Sequence, residues 1–174
     1  MLGARLSILI VLTAVCAQLS AAKMSSPPTG GGERQLPATF LGKFLLDRSE
    51  NFDEYLQTKG VNWLLRKMIS FSSVTKGSSD DLYNMANLSS KKSVNYKDLK
   101  LGETFKAEGL DGKQHDITFW FANGILHEKH IRLDNPQDKG EVYEYTIDDK
   151  DQLVLKMSND QITCRRWFKR VPSV

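Results

Sequence analysis

The sequence predicts an all-β protein: an antiparallel up-and-down barrel with a short helix-turn-helix after its first strand. Three observations lead there. The first residues look like a removable secretion signal that leaves one domain behind. Two short helical segments follow the first apolar strand directly. The remainder of the chain is a close succession of strand patterns and turn signals.

Arg5 is the only charge before a 12-residue uncharged run, Leu6 to Ala17, which leads into Ser20-Ala21-Ala22. A basic start, an apolar core of this length and small residues at its end are the marks of a secretory signal peptide. Gln18 and Lys23 arrive too soon for a membrane span, which needs roughly 20 apolar residues. Cleavage is expected after Ala22, with Ala17 as the alternative, so residues 1–22 are read as signal peptide and the product as secreted. Residues 23–37, with Ser-Ser-Pro-Pro and Gly30 to Gly32, have little to bury and read as a flexible tail. Residues 38–174 are the candidate folded domain, enough for one real core.

The full chain carries a formal charge of +3, and Arg5 leaves with the signal. A balance this close predicts no nucleic-acid partner. Of the two cysteines, Cys16 lies in the signal and Cys164 remains alone. A secreted domain without an internal disulfide must be held by its core, and a monomer is expected.

Phe40 to Leu46 is a short apolar strand. Asn51 is placed to cap a helix with Glu54 three residues on, and Phe52, Tyr55 and Leu56 share a face. Gly60 ends that helix. Val61, Leu64, Leu65 and Met68 space a second. After Lys76 strand candidates follow: Leu82 to Leu88, Thr104 to Glu108, Ile117 to Phe121, Ile125 to Leu133, Val142 to Ile147, Leu153 to Met157 and Ile162 to Arg170. Asn123-Gly124 between two of them is a strong hairpin signal. A long meander of hairpins closes into a barrel and so removes its edges.

Alternation along the last strand puts Ile162, Cys164, Arg166 and Phe168 on one face, apolar but for the arginine. A guanidinium cannot lose its proton to escape burial, so an inward Arg166 needs a partner. A ligand carboxylate fits its bidentate geometry. A protein carboxylate, or a register placing Arg166 in solvent, are the other two readings.

Several separated stretches resemble the intracellular lipid-binding protein family, the fatty-acid-binding proteins. They are Phe40-Leu41-Gly42-Lys43-Phe44, Glu50 to Leu56 with Gly60-Val61, Leu101-Gly102-Glu103-Thr104-Phe105, Asp151-Gln152-Leu153-Val154, and Arg166 to Val171. Together they span roughly Thr39 to Val171, and with the signal peptide they are similar to the secreted nematode branch. The resemblance implies a ten-stranded barrel, a lid from Asn51 to Phe71, and an internal cavity holding a long-chain fatty acid. It implies that Arg166 holds the carboxylate. Where the family's Arg-x-Tyr element has its tyrosine, this chain has Phe168. The family's second arginine falls near Thr146, which brings no charge. Arg132 is a candidate substitute, sharing its face with Glu128 and His130; a solvated outer face is the alternative. Lys113 matches a basic position near the portal. The expected ligand-binding set is therefore Arg166, Phe168, Arg132, Lys113 and Met157.

Other signals are weaker. His127 and His130 are three apart, so on a strand they face opposite ways and cannot share a zinc. No metal or cofactor is expected. Cys164 on an apolar face reads as a small hydrophobe, not a nucleophile, and no enzyme is expected. Asn87-Leu88-Ser89 is a glycosylation sequon inside a strand candidate. Arg66, Lys67 and Lys76 are read as a basic lid surface, either steering transient membrane contact or simply solvated. The leading function is a secreted carrier of a long-chain fatty acid. A retinoid or another small hydrophobic ligand is the near alternative. A structural protein with incidental lipid is more distant. A lipocalin-type enzyme is disfavoured by the two early helices and the missing disulfide.

Overall fold

The computed structural model describes residues 33–59, 71–88 and 93–172. The signal peptide, most of the tail and the second helical segment lie outside the described residues. Ten strands run in chain order: β1 (Gly42–Glu50), β2 (Phe71–Lys76), β3 (Leu82–Leu88), β4 (Val94–Lys100), β5 (Thr104–Glu108), β6 (Gln114–Ala122), β7 (Ile125–Arg132), β8 (Glu141–Ile147), β9 (Gln152–Ser158) and β10 (Thr163–Val171). Among the described residues, one α-helix, α1 (Phe52–Thr58), lies between β1 and β2. All pairings are antiparallel, and each strand pairs with its sequence neighbours except across β4–β5. β1 pairs with both β2 and β10, which brings the ends of the meander together. The result is a nearly closed ten-stranded barrel.

The β4–β5 gap is bridged by side chains. Tyr96 Oη donates to the Glu108 carbonyl at 3.3 Å, and the Tyr96 and Phe105 rings meet edge-on at 5.4 Å. Strand alternation sends one set of side chains inward, including Phe44, Tyr83, Ile117, Phe119, Leu153 and Phe168, all buried. Asn123 and Gly124 both take positive φ, 53° and 77°, forming the expected tight turn between β6 and β7.

Several expectations are corrected. Phe40 is not in a strand: it ends a 3-10 turn (Ala38–Phe40), and β1 starts at Gly42. The tail does not run intact to residue 37. Glu33 bridges to Phe121, and Leu36 is 5% exposed, its N–H donating to Tyr83 Oη at 2.9 Å. An apolar side chain beside a ring of buried aromatics packs wherever the chain allows it. Asn51 does not cap α1 with its side chain; it sits at φ 55°, and its Nδ2 donates to the Thr163 carbonyl at 3.0 Å, tying the helix start to β10. Phe71 belongs to β2 rather than to a lid. Lys76 ends β2 at the opposite end of the barrel from α1, with its ammonium 4.7 Å from the Tyr83 ring. It is no part of a lid surface.

Candidate functional site

Arg166 is the side chain around which the interior is organised. β10 alternates as expected: Cys164, Arg166 and Phe168 are buried inward, while Arg165 and Lys169 are exposed. Arg166 is 1% exposed, which excludes the solvent-facing register.

Its neighbours come from three elements. β1 carries a bulge at Asp47, where the pairing with β10 shifts between Leu46 and Arg48. Leu46 pairs with Phe168 before the bulge; after it Arg48 pairs with Trp167 and Ser49 with Arg166. The extra residue thus turns Arg48 outward, over the Trp167 ring at 3.5 Å, and Ser49 toward Arg166. Arg166 Nε donates to Ser49 Oγ at 3.2 Å. From α1, the Phe52 ring lies 3.9 Å from the guanidinium carbon, and from β10 itself the Phe168 ring lies 5.4 Å away. These rings hold the plane of the guanidinium by cation–π contact. Burial pulls its pKa down to about 10, so it remains cationic at neutral pH.

The other expected residues divide. Phe168 is inward beside Arg166. Met157 on β9 is buried and pairs with Cys164 and Tyr143. Arg132 and Lys113 are not brought to Arg166. Arg132 is 41% exposed at the side chain and donates through Nε and Nη2 to Asp134. Lys113 lies in the β5–β6 turn, its Nζ 3.4 Å from Asp134. Both sit at the α1 end of the barrel, where a charged strand terminus prefers a carboxylate in the adjoining turn to an apolar interior. Neither replaces the missing second arginine, whose expected place, Thr146, comes directly after the buried Tyr145.

The inner wall opposite holds polar groups that the sequence only hinted at. Glu128 on β7 is 3% exposed. One carboxylate oxygen accepts from Tyr145 Oη at 2.5 Å, the other pairs with His130 Nε2 at 2.6 Å. Burial and the Glu128 carboxylate push the tyrosine pKa well above its usual value, so its proton stays in place. The shared face of Glu128 and His130 was visible in the sequence; the plain alternation Tyr143, Tyr145, Ile147 on β8 would have added Tyr145. His127 faces the other way and stacks on Trp120 at 4.8 Å, so the two histidines lie on opposite faces of β7. An outer cleft between Asp47, Lys150, Asp151, Lys169 and Arg170 is unrelated to Arg166, and its charges pair with one another.

No family model matches the chain. Over 140 residues, however, it is 54% identical to fatty acid-binding protein homolog 4 of Caenorhabditis elegans, covering 78% of this chain and 97% of that protein. The chain belongs to the fatty-acid-binding protein family. Another family relative, the fatty acid-binding protein homolog of Ascaris suum, is 44% identical over 144 residues, 79% of this chain and 87% of its own. Among solved structures, As-p18, described as an extracellular fatty acid binding protein, matches with a TM-score of 0.71 at 39% identity. That match covers 79% of this chain and 99% of As-p18. The ten antiparallel strands of the nearly closed barrel, with α1 among the described residues, match the family's fold.

Proposed function

We propose that the protein is a secreted, monomeric carrier that reversibly binds a long-chain fatty acid inside the barrel and buffers or transports it in extracellular fluid. The observation that carries this reading is Arg166: a cation enclosed among apolar and aromatic walls, with its plane held by Phe52. A carboxylate offers such a fork two parallel acceptors, and each acyl methylene withdrawn from water adds about 0.8 kcal/mol. Secretion is supported by the leader pattern of residues 1–22 and by the likeness to an extracellular relative. The cleavage point after Ala22 is testable by sequencing the N-terminus of exported protein.

The test is a titration of delipidated mature protein with a fluorescent fatty acid, displaced in turn by oleate, oleyl alcohol and retinol. Saturable one-to-one binding reversed by oleate supports the reading. Arg166→Gln should weaken oleate roughly 10- to 100-fold, the worth of a hydrogen-bonded charge, and change oleyl alcohol far less. Equal losses for both would mean that Arg166 does not read the carboxylate; displacement by retinol alone would move the ligand class.

A further inference from the structure

The barrel interior has two polar poles, and a plain fatty acid addresses only one. Arg166 on β10 is the first. The second lies on the inner wall of β6, β7 and β8: Glu128, His130, Tyr145 and His115. His115 is 7% exposed and faces inward. Its Nε2 is 3.0 Å from Asp111 Oδ1, whereas its Nδ1 is buried with no hydrogen-bond partner among the described residues. The His115 and His130 rings meet edge-on at 5.2 Å, and His130 pairs with Glu128, so the His115 ring joins the same cluster as that carboxylate.

A saturated acyl chain laid on this wall would strip water from Glu128 and His115 and return nothing. A buried polar atom left without a partner costs about 1–3 kcal/mol. Each Glu128 oxygen already accepts one hydrogen bond, but a carboxylate oxygen has a second lone pair. Glu128 therefore takes a donor. A carboxylate ligand head is repelled there, which keeps the head at Arg166. A hydroxyl suits the second pole: it donates to Glu128 and can meet His115 Nδ1 either as acceptor or as donor.

We propose that the Glu128–His130–Tyr145–His115 wall is a second ligand subsite that reads a hydroxyl on the lipid chain, making hydroxylated long-chain fatty acids the preferred ligands. This rests on the fatty-acid reading above and narrows it. The test compares stearic acid with hydroxyoctadecanoic acids whose hydroxyl is moved along the chain, on the wild type, Glu128→Leu and His115→Leu. The expected result is a position-dependent preference of about tenfold for at least one hydroxy acid, lost in either variant while stearic acid still binds. If every isomer binds like stearic acid, the wall is only a hydrated structural network, and the inference fails while fatty-acid carriage stands. A preference that survives in both folded variants would overturn the assignment of this wall. If nothing binds, the carrier reading falls as well.

Discussion

At the scale of single residues, environment decides chemistry. Cys164 and Arg166 are neighbours on one inward face, and both are buried. Burial pushes the Cys164 thiol up to about 11, outweighing the nearby positive charge of Arg166. Only the thiolate is a good nucleophile, so Cys164 should be almost inert to a thiol reagent at pH 8 in the folded protein and react fully in denaturant. Fast labelling of the native state would show that this wall opens. Asn87 is governed by the same logic. It falls on the inward face of β3, in step with the buried Tyr83 and Met85, so a glycan there would have to fit inside the barrel. Mass spectrometry of protein secreted from a glycosylating host should find Asn87 unmodified; a glycan there would mean that β3 faces the other way. The Arg166 face was legible because β10 alternates without interruption. Ser49 was not legible, because a bulge is a change of register that apolar spacing does not record.

At the scale of elements, a broken alternation and a disguised inner face explain the two strands the sequence hid. β4 starts with Val94 and Tyr96 inward, but Asp98 takes φ 50° and the inward series resumes at Leu99, so the period of two breaks midway. β2 places Ser72 at an inward position beside Val74, which disguises its apolar face. α1 was read correctly from its face, and its anchoring is what sequence could not supply. Tyr55 Oη donates to Glu141 at 3.2 Å, Lys59 is ion-paired with the same carboxylate, and Tyr143 Oη donates to it at 3.0 Å. Thr58 Oγ1 accepts from Asn159 Nδ2 at 2.6 Å. The carboxylate of Glu141 thus holds Tyr55 of the helix and Lys59 just after its end against β8. Glu141→Ala should release a fluorescent fatty acid several-fold faster in stopped-flow transfer to vesicles, with a smaller change in affinity. An unchanged release rate would mean that α1 does not gate the exit.

At the scale of the molecule, the barrel has no disulfide among its described residues, so closure depends on packing and on a few ion pairs that join distant segments. Arg170 is the clearest. It donates to both Asp151 oxygens and to the carbonyls of Thr39 and Leu41 at 2.6 Å each, joining β10, the β8–β9 turn and the N-terminal 3-10 turn. Hydrogen bonding to Arg170 holds the Asp151 carboxyl below its usual pKa. Lys169 does the same for Asp47, and Arg132 brings Asp134 to about 2. A depressed folded pKa contributes stability that is present above the unfolded value, near ~3.9, and is lost as pH falls through the folded one. The melting midpoint should therefore be nearly flat from neutral pH to about pH 5 and decline below about pH 4. The three carboxylates are solvent-exposed, so screening keeps each increment small and salt should shrink it further. Arg170→Met should lower the midpoint at neutral pH and flatten part of the acid decline, because Asp151 then titrates alike in both states. A variant that melts lower yet keeps the full acid slope would place the pH dependence in the other pairs and leave Arg170 as a tie to the Thr39 and Leu41 carbonyls alone.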